Sequence, residues 1–187
     1  MSLLKQLDYQ IVTIRELEYA NDLVIDELET FGFYDERMAS VEVYLAWAGD
    51  AFGWQNYGSD GHINIPAISL ARLSALVGYE KASLRDVLRH EYAHAVADTH
   101  RGLMRSRRFS TVFGRSHGSE ESSKYDKSAH VTPYSAANPG EDFAEVFMKF
   151  LKHSSRIPRR FRTPAIARKW GFVKDLASAI RSGKRRW

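Results

Sequence analysis

Ser83-Leu84-Arg85-Asp86-Val87-Leu88-Arg89-His90-Glu91-Tyr92-Ala93-His94-Ala95-Val96-Ala97-Asp98-Thr99 is the stretch on which the fold turns. A serine with an acid three residues later is a helix start. Leu84, Val87, Leu88, Tyr92, Ala95, Val96 and Thr99 then recur at helical spacing and mark the buried face. Arg85 and Asp86 read as solvent-facing. His90, His94 and Asp98 fall on a separate line, at i, i+4 and i+8. Two histidines one turn apart share a helix face and can grip one ion. Glu91, beside the first of them, can reach a water on that ion. The spacing points to a catalytic zinc site, and such a site needs a third protein ligand.

Two residues compete for that place. His100 follows His94 by six positions. On a continuing helix it lies nearly two turns away and is rotated by roughly 120°, too far for the same ion. Ala97 between them is a strong helix former, so nothing breaks the helix first. Glu141 comes later, on a second helix opened by Asn138 as cap and Pro139 at the first position. Phe143, Val146, Phe147, Phe150 and Leu151 are the apolar stripe of that helix. Glu141 and Glu145 lie one turn apart on another face. Glu141 is either a ligand or a capping glutamate paired with Asn138. Glu145 is either an ordinary solvated acid or the partner of a ligand histidine's far ring nitrogen. Asp98, one turn beyond His94, is a second candidate for that supporting bond.

Tyr134, seven residues before Glu141, and Phe143-Ala144-Glu145-Val146-Phe147 carry a family likeness. With His90 through Val96, they resemble the catalytic domain of anthrax lethal factor and the related Pro-Pro endopeptidases of clostridia, zinc metallopeptidases of the gluzincin type. The likeness covers roughly residues 84–153. It implies His90, His94 and Glu141 as ligands of Zn2+, with no organic cofactor. It implies Glu91 as general base and proton shuttle, Tyr134 as transition-state stabiliser, and Glu145 as the acid supporting a ligand. The implied function is a metalloendopeptidase that hydrolyses peptide bonds through a zinc-activated water. The competing expectation is a non-proteolytic binding or regulatory protein with a structural zinc.

The rest of the chain sets the frame. Its 187 residues, 44% of them hydrophobic, suffice for one packed domain. The expected class is α+β with a zincin-like fold: a small N-terminal sheet, the active-site helix and a mainly helical C-terminal part. The expected division is 1–100 for the N-terminal subdomain, 101–131 for a connecting loop and 132–187 for the helical part. There are no cysteines, which excludes disulfides, thiolate zinc sites and thiol nucleophiles. No basic-then-apolar leader is seen, so a cytoplasmic protein or one delivered by another route is expected. No apolar run is long enough to span a membrane.

Residues 15–31 read as a helix closed by Gly32. Val41, Val43, Leu45 and Trp47 alternate with other residues and read as a strand. Ser59-Asp60-Gly61 reads as a turn. His62–Ile65, ending at Pro66, reads as an edge strand on which an extended substrate lies. Ser69–Val77 reads as a short helix closed by Gly78, and the tail as two helices, 164–170 and 172–182, stopped by Gly171 and Gly183. Charge is uneven: residues 1–36 hold nine acids against two bases, and residues 149–187 thirteen bases against one acid. The basic tail is a set of solvated helix faces or a surface for an acidic partner. No nucleic-acid-binding motif is present.

Overall fold

A computed structural model describes residues 11–49, 53–57, 60–69 and 83–187. The architecture is mixed α+β, a small sheet beside a larger helical part. Residues 70–77 of the expected helix 69–77, and Ser59 of the expected turn, lie outside the described residues. Asp60 and Gly61 begin a strand, and Ser69 ends it.

Helix α1 spans Ile14–Phe31. Thr13 and Glu16 form a reciprocal capping box at its start, and Gly32 ends it at φ 85°, a left-handed conformation that costs glycine little. Its face of Leu17, Ala20, Val24 and Leu28 is buried. Three strands follow: β1 (Glu42–Gly49), β2 (Gly53–Tyr57) and β3 (Asp60–Ser69). Their order is β1-β3-β2, with β3 parallel to β1 and antiparallel to β2. The segment 62–65 is therefore central, contrary to the edge position its proline suggests. Pro66 sits opposite Ala46, beyond the Gly53–Asn64 pair where β2 runs out. Among the described residues, Pro66 has a ladder partner on the β1 flank alone, so a missing N–H on the other flank is tolerated there. Ile63 and Ile65 are buried, whereas Trp47 of β1 is 82% exposed and departs from the inward alternation.

Helix α2 (Leu84–Thr99) begins where Ser83 Oγ accepts the Asp86 amide at 3.1 Å. It lies against α1, β2, β3 and the later helix α5 (Pro139–Lys152). Asp86 does not face solvent. It is buried between Arg89 (2.6 Å) and Lys152 of α5, while Glu27 of α1 takes the other side of Arg89 and also pairs with the partly exposed Arg85. A buried charge needs partners, and these come from distant segments.

Residues 101–131 hold more structure than a loop. Short helices α3 (Arg101–Met104) and α4 (Arg107–Phe113) occupy the start, the second capped by Ser106 and ended by Gly114 at φ 86°. The segment 114–133 has no helix or strand. It is tied to the last helix where Thr163 Oγ1 donates to Ser128 O at 2.6 Å and Lys169 Nζ to Ala129 O at 2.6 Å. Helix α5 (Pro139–Lys152) starts on Asn138 as expected and buries Phe143, Phe147, Phe150 and Leu151. Helix α6 (Pro164–Arg181) runs unbroken through Gly171. One glycine costs a helix about 1 kcal/mol, and the buried Trp170, Phe172 and Val173 around it outweigh that. Phe109, Phe113, Phe143 and Phe172 pack edge to face in the helical core. Among the described residues no helix is long and apolar enough to cross a membrane.

Candidate metal centre

Helix α2 presents His90 and His94 on one face, and the first turn of α5 brings Glu141 to meet them. His90 Nε2 and His94 Nε2 are 3.2 Å apart. Glu141 Oε2 lies 3.1 Å from the first and 3.5 Å from the second. Donors bonded at 2.0–2.1 Å to a tetrahedral ion sit about 3.3–3.4 Å from one another. The three measured edges bracket that value. Glu141 Oε2 is buried and has no hydrogen bond of normal geometry. A buried, unsatisfied carboxylate oxygen aimed at two imidazole nitrogens is costly unless a cation shares the space. The N2O donor set suits zinc. These three are the metal-holding group found among the described residues. Asn138 Oδ1 caps the Glu141 amide at 2.9 Å, so the backbone of Glu141 serves the helix start while its carboxylate turns to the histidines.

The surroundings set the charges. Glu145 Oε1 lies 2.9 Å from His90 Nδ1, and Thr132 Oγ1 donates to Glu145 Oε2 at 2.8 Å. Burial alone lowers the His90 pKa, but the carboxylates of Glu141 and Glu145 against its two ring nitrogens, and the charge of Glu91, hold it up at about 10. Burial raises Glu141, yet the two histidines win and keep it well below the usual carboxylate range. Tyr134 opens a short turn, Tyr134–Ala136, before α5. It is 55% exposed, with its ring centre 5.9 Å from that of His90. Its pKa is pushed up to about 12, by desolvation first and then by Glu141 and Glu91, so the hydroxyl stays a proton donor.

Glu91 is nearly buried, and its Oε2 accepts the backbone N–H of Trp54 on β2 at 2.8 Å. His90, Glu91, His94, Tyr134, Glu141, Gly53 and Trp54 line one open cleft of about 300 Å3.

Two candidates lie elsewhere. Asp98 supports no ligand histidine. Its Oδ2 accepts the Trp54 indole N–H at 2.7 Å and the Asn56 amide at 3.1 Å, and its Oδ1 lies 3.5 Å from Arg101 Nε. One turn beyond His94, the helix has carried it away from the His90–His94–Glu141 group and against β2. His100 is buried on the far side, with Nε2 3.0 Å from Asp35 Oδ2.

Sequence reasoning missed Trp54, Thr132 and His117. The first two are joined to the site only by folding, and no local pattern marks them. His117 packs its ring on Phe109 and keeps Nε2 buried without a partner. Burial first, and His94 second, pull its pKa down to about 4, so it adds no charge.

No protein-family model matches the chain, and comparison with curated proteins and with solved structures finds no match.

Proposed function

We propose that this chain is a zinc-dependent metalloendopeptidase of the gluzincin type, built on a zincin-like α+β fold. The observation that carries the proposal is the convergence of His90 Nε2, His94 Nε2 and Glu141 Oε2 at 3.1–3.5 Å, with Glu91 beside them. His90, His94 and Glu141 would hold the ion, and Glu145 keeps the His90 ring turned toward it. Zinc bound there supplies a Lewis acid and lowers the pKa of a coordinated water to about 7. Glu91 takes a proton from the attacking water as its oxygen adds to the peptide carbonyl carbon. Tyr134 donates a hydrogen bond to the carbonyl oxygen as negative charge builds there. Glu91 then delivers its proton to the leaving amine as the C–N bond breaks.

The sheet edge nearest this chemistry is β2. The N–H of Trp54 faces Glu91, and by strand alternation its carbonyl faces the same way. An extended peptide can pair along that edge, which suits a protein or peptide substrate. The basic tail is a further surface for an acidic partner, although its Lys152 and Lys169 are engaged by Asp86 and Asp142, and its one acid, Asp175, by Arg108.

The test is zinc content and peptide-library cleavage of wild type, Glu141→Ala, His100→Ala and Glu91→Ala. Zinc lost on Glu141→Ala and kept on His100→Ala, with cleavage abolished by Glu91→Ala, is the expected pattern. The reverse zinc result rejects the ligand set. One observation favours the non-proteolytic alternative: the bond from Trp54 gives Glu91 a structural task that a binding protein also needs. Bound zinc with no library member cut would select it.

A further inference from the structure

Among the described residues, Trp54 and Asn56 make three hydrogen bonds from β2 to α2. The Trp54 indole and the Asn56 amide both donate to Asp98 Oδ2, at 2.7 and 3.1 Å, and the Trp54 backbone N–H donates to Glu91 Oε2 at 2.8 Å. The indole also lies across Gly61 of β3. A methyl group at Gly61 would meet the ring at 2.1 Å, so only glycine leaves room for it.

The geometry points to Trp54 and Asp98 as a positioning pair for the general base, and this rests on the peptidase reading of the site. Asp98 and Gly61 fix the indole from two sides. The fixed indole sets the height of β2 over the helix. The Trp54 amide then holds one oxygen of Glu91 and leaves the other for the proton it must carry. Asp98 therefore acts one turn from the metal without serving it. Trp54 joins the wall of the cleft to the carboxylate, so the substrate-bearing edge and the base move as one body. Placement matters at this level: a shift of about 1 Å in a reacting group can cost about a hundredfold in rate.

Three variants of the full chain test this, with wild type as reference: Asp98→Ala, Gly61→Ala and Asp98→Asn. The first removes the anchor, the second displaces the indole from the opposite face, and the third keeps an oxygen acceptor. Amide hydrogen exchange at Trp54, kcat, KM and zinc Kd are measured on each. Asp98→Ala and Gly61→Ala are expected to speed Trp54 exchange at least about tenfold, with α2 amides near the metal unchanged. Both lower kcat by about tenfold to a hundredfold, while KM and zinc Kd stay within about threefold. Asp98→Asn restores both exchange and kcat to near wild type.

Unchanged Trp54 exchange in both Asp98→Ala and Gly61→Ala overturns the inference. So does a zinc Kd weakened more than about tenfold by Asp98→Ala with exchange unchanged, because Asp98 would then serve the metal. The exchange measurement needs no activity. Failure of the peptidase reading is seen instead as an uncut peptide library with the exchange pattern intact.

Discussion

Replacing Glu145 by alanine removes two contacts at once, the 2.9 Å contact to His90 Nδ1 and the 2.8 Å bond from Thr132. The His90 ring then loses the partner that fixes its tautomer and direction. Losses of such supporting acids weaken metal binding by about 10–100-fold, which is about 1.4–2.7 kcal/mol. A second effect opposes this one. Glu145 is among the groups that hold the His90 pKa at about 10. If zinc binds there as proposed it must displace that proton, so wild-type affinity is expected to fall about tenfold for each pH unit below that value. Without Glu145 the His90 pKa drops, and proton competition eases most at low pH. The deficit of Glu145→Ala is therefore smallest near pH 7 and grows toward pH 9. The assay is competition for zinc between chelator-stripped protein and a chromophoric chelator across that range, with circular dichroism to verify folding. A deficit that stays constant or shrinks as pH rises would refute the reasoning.

Tyr134→Phe should lower kcat by about 10²–10³ with zinc content unchanged, and Glu91→Ala should lower it further; equal activity of Tyr134→Phe and wild type in a peptide cleavage assay removes Tyr134 from the mechanism. Asp86→Ala leaves Arg89 and Lys152 short of a buried partner and should cost about 3 kcal/mol, a Tm lower by roughly 6–12 °C in thermal melts. The folded-state pKa of Asp86 is depressed: burial raises it, but Lys152 and Arg89 outweigh that. Its contribution is thus fully present above the ordinary value of 3.8, and the gap between variant and wild type closes as the pH falls through the lower folded-state value. Gly171→Ala adds a methyl group with nothing within 4 Å inside an unbroken helix, and should raise stability by about 0.5–1 kcal/mol, read as a higher urea midpoint.

What the sequence made legible is what local chemistry determines. Ser83 and Asn138 open the two helices that meet at the site, because a side-chain oxygen there satisfies an otherwise unpaired amide. The four-residue spacing of His90 and His94 is a helix property, and helix rotation alone separates His100 from them. Pairing is another matter. Alternation marks residues 62–65 as a strand but cannot say that neighbours lie on both flanks, so its place in the centre of the sheet was hidden. Asp86 read as solvent-facing because Glu27 and Lys152 come from other helices. Asp98 has the spacing of a histidine partner. Its actual bonds go to a strand more than forty residues earlier, in contacts that only the folded chain creates. Gly171 read as a stop because propensity speaks before packing does.

An open sheet edge invites self-association, since its unpaired backbone groups template the strand of another copy. At β2 that invitation is withdrawn at one rung. A second molecule zipping along the edge needs the Trp54 N–H, which Glu91 already holds. A peptide one or two residues long on either side of the gap loses little by this. A full strand from another copy loses its continuous ladder. The bond that aims a carboxylate thus also favours short-lived guests over permanent ones, and guards against aggregation along β2.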